Sequence, residues 1–199
     1  MLKRSKLKLA SLVLAIMMVM SLYCISASAA DVTPRISQYY LAEGVGAVDY
    51  YITTSASGYS TEIGNAAYNW VYTGYGYNPI YMYQTTNFSA SNMDIYADYF
   101  GIGVGYAGIT YYVDVTQNGH IHVDASYSMW DYGEIYLNES FTSQLNSTDK
   151  QGVLAHEMGH VFGLDHNNDN VYSIMCQDIY GRVTETVGLA DHYGINAMY

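Results

Sequence analysis

His156-Glu157-Met158-Gly159-His160-Val161-Phe162-Gly163-Leu164-Asp165-His166 is the stretch on which the reading of this sequence turns. On a helix, residues four apart share one face and lie about 6 Å apart along the axis. His156 and His160 can therefore present imidazoles to one ion, and two imidazoles at that spacing suit zinc, with ligand bonds of about 2.0–2.1 Å. If the helix ran on, His166 would sit about 9 Å further along the axis, too far to join them. The chain must turn back, and Gly163 is where it turns most easily, because glycine takes positive φ without a steric penalty. Three protein nitrogens leave one zinc position open for water, the arrangement of catalytic rather than structural sites. Zinc brings the pKa of that water to about 7. Glu157, beside the first histidine, is placed to take the water proton and pass it to a leaving amine. In a chain of this composition the shorter His-Glu-x-x-His arises by chance in roughly one case in 200, the full pattern in roughly one in 10⁵. Gly163 and His166 therefore carry the weight.

Outward from this stretch, the pattern is mixed. Residues 148–162 read as the helix that bears the first two histidines, with Thr148 and Gln151 as a capping-box pair and Gly163 as the stop. Residues 60–73 place Ile63, Ala66, Ala67, Trp70 and Val71 on one helical stripe, with Ser60 as N-cap and Gly74 as stop. A shorter helix is expected over 190–198. Alternating or apolar runs at 45–52, 80–84, 93–100, 109–115, 120–125 and 134–137 read as strands. Asn118-Gly119 between two of them is a hairpin turn signal. Of the 24 tyrosines, 23 lie after the signal, and many alternate with polar or small residues, which suits half-buried strands. An adhesive or glycan-binding surface is the alternative use for them. Gly101, Gly103, Gly105 and Gly108 read as a flexible loop. No helix opens after them to cradle a phosphate, which argues against nucleotide binding.

The eleven-residue stretch resembles the metzincin clan of zinc endopeptidases, most closely the matrixins, whose pattern H-E-x-x-H-x-x-G-x-x-H it meets at every position. Ser173-Ile174-Met175 is similar to the clan's methionine turn. The resemblance implies that the Met175 sulfur packs beneath the histidines without binding the metal. Residues 189–199 are similar to the last helix of matrixin catalytic domains, where an aspartate at the position of Asp191 fixes that turn. The likeness is strong over 133–199 and only architectural over 31–132. It implies an α+β fold: a twisted, mostly parallel five-stranded sheet, two long helices and a small C-terminal subdomain containing the methionine turn. Asn167 departs from the serine that usually follows the third histidine. No cysteine lies between Asp31 and the motif, so latency by a propeptide cysteine is not expected. Astacin-like members carry a tyrosine two residues after the methionine, and here that position is Gln177.

Residues 1–30 read as an export signal. Lys3, Arg4, Lys6 and Lys8 precede an apolar run of about 17 residues, and Ala27-Ser28-Ala29 offers a cleavage site. An uncleaved anchor, or a lipid on Cys24, is the alternative; Tyr23 before that cysteine suits the lipid poorly. Residues 31–199 then form one catalytic domain, secreted and monomeric, with no stable membrane association. Four of the seven basic residues fall in the signal, which leaves three against eighteen acids and a net charge of −15. Nucleic acid and anionic surfaces would be repelled. With Cys24 removed, Cys176 stands alone and no disulfide forms within the domain; a small buried hydrophobe is the expectation for it.

His120, His122 and Asp124 alternate on one strand face and raise the question of a second zinc or a calcium ion. Asp94, Asp98, Asp114, Asp131 and Glu134 lie around the same stretch. A solvated strand face is the competing reading. Asp165 reads either as an outer partner of a ligand histidine or as a loop residue. The expected function is hydrolysis of internal peptide bonds in protein or peptide substrates by a zinc-activated water. The alternatives are a zinc hydrolase of a non-peptide amide, such as a cell-wall bond, and a zinc-holding adhesion module without catalysis.

Overall fold

The computed structural model of the protein describes residues 32–199. The expected signal and Cys24 lie outside the described residues. Six strands make one sheet: β1 (Val48–Ile52), β2 (Met82–Thr85), β3 (Met93–Asp98), β4 (Gly108–Thr116), β5 (Gly119–Val123) and β6 (Tyr132–Asn138). Their order is β2-β1-β3-β6-β4-β5. The first four in that order are mutually parallel, whereas β4 runs antiparallel to both β6 and β5. The sheet is thus one strand wider than expected. All six runs read as strands in the sequence are present, and the count exceeds the five implied by the resemblance; β5 returns beside β4 through the expected hairpin turn before Gly119, whose φ is +118°.

Four helices follow the strand pattern: α1 (Ser60–Val71), α2 (Glu139–Thr142), α3 (Ser147–Phe162) and α4 (Leu189–Met198). The long helices fall where their apolar stripes put them, but their ends differ. Ser60 is the first helical residue rather than the cap, because a 3-10 turn over Ser57–Tyr59 leads into α1. α1 stops before Gly74, and the Asn78 side chain takes the freed carbonyls of Trp70 and Val71. α3 is capped by Asn146, whose side-chain oxygen accepts from Asp149 N–H at 3.0 Å. An Asx cap two residues upstream displaces the expected Thr148–Gln151 pair. Gly163 ends α3 in the left-handed region, as its position implied.

The core lies between the helices and one face of the sheet. Met93, Ile95 and Ala97 of β3 and Ile135 and Leu137 of β6 join Ile63, Trp70, Leu154, Met158 and Phe162 there. Trp70 crosses Phe162 edge to face at 5.2 Å, and its indole N–H donates to the Ala155 carbonyl at 2.9 Å. This ties α1 to the helix that bears the histidines. Trp130 does the same from the sheet side, donating to the Val161 carbonyl at 2.9 Å. On the opposite face, tyrosines pack on one another, as in the Tyr96–Tyr136 stack at 4.6 Å. Among the described residues no helix is long and apolar enough to cross a membrane.

Gly133 is where helix and sheet come closest. A Cβ there would meet Val161 Cγ2 at 2.5 Å. Val161 is buried and β-branched, so it cannot swing aside. Gly133→Ala is expected to destabilise the fold by about 1–3 kcal/mol, read as a lower urea midpoint with an unchanged slope.

Candidate metal centre

α3 carries His156, Glu157 and His160 in its buried second half. At its end, Gly163 N–H bonds to His160 O and Leu164 N–H to Gly159 O, each at 2.9 Å. Gly163 has φ +105°, and a Cβ there would also run into Tyr40. The turn brings His166 back against the two helical histidines. His160 Nε2 lies 3.2 Å from His156 Nε2 and 3.2 Å from His166 Nε2.

The other ring nitrogens explain this orientation. A carbonyl oxygen only accepts, so His156 Nδ1–H donates to Ile174 O and His160 Nδ1–H donates to Leu164 O, each at 2.8 Å. The Nε2 atoms are then left with lone pairs that face one another. Burial pushes His156 well below its usual range, with the neighbouring His160 adding to the effect. Burial likewise lowers His160 to about 4 and lowers His166. Three neutral imidazoles converging in this way repel unless a cation sits between them. Nitrogen ligands at about 2.1 Å in a tetrahedral shell lie about 3.4 Å apart, close to the spacing found here, so the donor set fits zinc.

Glu157 is buried beside this trio. Its Oε2 accepts from Thr110 Oγ1 at 2.8 Å, and the same hydroxyl lies 3.1 Å from the Glu157 carbonyl. Burial raises the carboxyl to about 7 against the pull of the Thr110 bond. Gly108 gives it room, since a Cβ there would meet Glu157 Cγ at 2.8 Å.

Beneath the histidines, residues 173–176 form a tight turn. The Cys176 N–H donates to Ser173 O at 3.1 Å and the Met175 N–H to Ser173 Oγ at 3.0 Å. The Met175 sulfur lies where a Cβ on Gly159 would be, so the glycine inside the motif is set by packing. Asp191, the third residue of α4, gathers Ser173 Oγ–H, Ile174 N–H and Gly188 N–H, the last two at 2.8 Å.

Residues of low sequence visibility complete the site. Arg182 has a side chain only 4 % exposed and pairs with Asp178 at 2.9 Å and Glu185 at 3.0 Å. It also reaches the carbonyls of Ile174 and Cys176, each at 3.4 Å. The N-terminal segment is laced to the ligand loop. Ile36 bridges Leu164, and Asp165 N–H donates to Arg35 O at 3.1 Å. Ser37 Oγ donates to Asp165 Oδ1 at 2.6 Å, and Asn167 Nδ2 donates to Thr33 O at 3.1 Å. Asp165 therefore makes its hydrogen bonds to the N-terminal segment, while its charge also opposes the lowering of His160 and His166, and Asn167 has a definite task as a tie to that segment. Cys176 is fully buried, and burial pushes its thiol pKa up.

The other expected ligands do not gather. His120 Nδ1 meets Tyr132 Oη at 2.8 Å, His122 Nε2 lies 3.4 Å from Glu134, and Asp124 Oδ1 accepts from Ser126 N–H at 2.7 Å. Asp98 and Asp131 accept from the backbone N–H groups of Tyr99 and Val115. Among the described residues, the three histidines are the only group of three or more metal-capable side chains close enough to share an ion.

A cleft of about 670 Å³ opens over the trio. Its lining includes Tyr106–Thr110, Val153, the three histidines, Gln177–Ile179 and Arg182. β4 pairs with β5 only from Tyr112 to Thr116, so the outer edge of residues 108–111 is left without a strand partner.

A family model described as matrixin matches residues 87–199, more than half of the chain. Solved structures similar to this chain include high choriolytic enzyme 1, a hatching-enzyme zinc protease from the medaka fish Oryzias latipes. It has 17 % identity and a TM-score of 0.34, over 65 % of this chain and 49 % of its own. Another is myroilysin, with 12 % identity and a TM-score of 0.40, over 65 % of this chain and 55 % of its own. The chain thus spans about half the length of these structures. No curated protein matches the sequence. With the family model matched through the whole motif and its C-terminal helix, the chain belongs to the matrixin family of zinc metallopeptidases.

Proposed function

We propose that this protein hydrolyses internal peptide bonds, with zinc held by His156, His160 and His166 and with Glu157 as the base. The observation that carries this reading is the convergence of three neutral imidazole nitrogens beside a buried carboxylate in an open cleft. Zinc held by these three histidines would polarise a scissile carbonyl and acidify the attacking water. Glu157 Oε1, the oxygen that Thr110 does not engage, takes the water proton and delivers it to the departing amide nitrogen. Thr110 holds the carboxylate in one orientation throughout. The unpaired edge of residues 108–111 takes the substrate as an added strand, which aligns the scissile bond over the histidines. Met175 supports the histidines from below, Asp191 holds its turn, and Gly163 permits the return of His166. Residues 175–181 wall the side-chain pocket. The domain, residues 31–199, acts outside the cell as a monomer after removal of residues 1–30.

The test is a peptide-library digest by the purified mature protein with its metal content measured on the same sample. Chelation is expected to remove activity by at least about a hundredfold, and stoichiometric zinc to restore it. Chelator-insensitive cleavage would sink the metal assignment. A zinc-loaded protein that cuts no peptide would point instead to a non-peptide amide or to an adhesion module.

A further inference from the structure

Residues 63–93 contain no charged side chain and no histidine, in a chain whose residues 31–199 carry a net charge of −15. The stretch runs from α1 through a loop to the edge strand β2 and on to the start of β3. Its six tyrosines, at 68, 72, 75, 77, 81 and 83, are all exposed. Its isoleucine, valine and methionine side chains are not.

Four of these tyrosines follow one another at the end of α1. Asn65, Tyr68, Asn69 and Tyr72 stand three and four residues apart, so they share one stripe of the helix. The opposite stripe, Ile63, Ala66, Ala67 and Trp70, is buried. The Tyr68 and Tyr72 rings lie 4.6 Å apart. Tyr72-Thr73-Gly74-Tyr75-Gly76-Tyr77-Asn78 then carries two more rings into solvent, on a backbone with φ +79° at Gly74 and +114° at Gly76. A Cβ at either glycine would meet nothing within 4 Å, so the conformation selects glycine there, not crowding. The loop is fastened along its length. Asn78 holds the last carbonyls of α1, Thr73 Oγ1 lies 3.0 Å from His192 Nδ1, and Asn196 Nδ2 donates to Tyr77 O at 3.2 Å. The Tyr75 ring packs on the His192 ring of α4, centroids 5.8 Å apart. Aromatic rings standing in water on a fastened backbone mark a recognition surface, and the fastening lowers the entropy lost on binding. None of the four tyrosines lines the cleft over the histidines.

Charge decides what fits this surface. A nucleic acid could stack on the rings, but no lysine or arginine of the stretch would meet its phosphates. A second copy would bring another −15 against the first. A basic protein face would find no carboxylate in the stretch. An uncharged chain of pyranose rings is the complement. Its C–H faces lie flat on tyrosine rings, and its hydroxyls meet the tyrosine O–H groups and the side-chain amides on the same helical stripe.

We propose that Tyr68, Tyr72, Tyr75 and Tyr77, with Asn65 and Asn69, bind neutral polysaccharide and hold the protein on it while the cleft stays open. This binding needs neither zinc nor a peptide, so it stands or falls apart from the peptidase reading.

In the experiment the purified mature protein is mixed with suspended amorphous cellulose, chitin, starch or polygalacturonate, and the protein left in solution is measured. Adsorption is expected on at least one of the three neutral polymers and none on polygalacturonate. It should change little between about 0.05 and 0.5 M NaCl, because no ion pair carries it. Tyr72→Ala with Tyr77→Ala should weaken adsorption by about tenfold or more, with the melting temperature unchanged. Tyr127→Ala, at an exposed tyrosine beyond β5, should adsorb like wild type. No adsorption on any neutral polymer, adsorption untouched by the double substitution, or equal adsorption on polygalacturonate would overturn the proposal. Self-association of wild type in the ultracentrifuge, abolished by the same double substitution, would give the surface to a second copy and overturn it too.

Discussion

Glu157→Gln is expected to lower kcat/KM for a cleaved peptide by about 10⁴-fold, the upper end for a single proton-transfer group, while the protein keeps its zinc. In the proposed mechanism one carboxylate serves the reaction twice, first as the acceptor of the water proton and then as its donor to the leaving nitrogen. Both transfers go with it. The amide matches the carboxylate in shape, so Gly108 still has room and Thr110 still has an acceptor. The imidazoles are held by Ile174 O, Leu164 O and the turn at Gly163, none of which the substitution alters. Metal content should therefore stay at one zinc per chain. A fluorogenic peptide assay and elemental analysis on one preparation check both halves. Activity within about tenfold of wild type would remove Glu157 from the mechanism, because a positioned base is worth at least about a hundredfold.

Asp191→Ala is expected to be the most damaging change outside the histidines and Glu157. The side chain is 2 % exposed and is the shared acceptor for Ser173 Oγ–H, Ile174 N–H and Gly188 N–H. Alanine leaves three buried donors without a partner, at a cost of about 3–5 kcal/mol. For a domain of this size that lowers the melting temperature by about 10 °C. The loss should spread to the metal. Ile174 lies in the turn that Asp191 holds, and its carbonyl fixes the His156 ring. Zinc affinity, measured against a competing chelator, should fall about 10- to 100-fold, the usual result of losing an outer support. Asp191→Asn keeps one acceptor oxygen but turns an N–H₂ toward donors, so it should fall between the two. An alanine variant that melts with wild type would show that the turn stands without its aspartate.

The part of the site legible in the sequence is the part written at helical spacing. His156, Glu157 and His160 follow from a four-residue period, and Gly163 follows from the need to return His166. Met175 and Asp191 were legible only through the resemblance, and the structure brings them together through Ser173 and Ile174. Thr110 and Gly108 lie 47 and 49 residues from Glu157, where no period connects them. Gly108 did carry a weak signal, since glycine within a strand often marks a close approach. Placed among three other glycines, it read as part of a flexible loop. That loop is pinned by Asn138, a buried polar residue whose role depends on neighbours 32 to 38 residues away. His120 and His122 do share a strand face, as their alternation implied. Sharing a face does not make a ligand set, because Tyr132 and Glu134 of the neighbouring strand β6 take up their nitrogens.

The lacing of residues 33–37 onto the loop that carries His166 bears on the order in which the molecule is made. Ser37 and Asp165 are 128 residues apart, and Thr33 and Asn167 are 134 apart. A growing chain releases the earlier partner long before the later one exists. The third histidine therefore acquires its support only when the domain is nearly whole, and loop closure over such a span is slow. Ion capture becomes a late event of maturation, and during refolding zinc uptake, read with a competing colorimetric chelator, should follow only after most helix and sheet signals have returned.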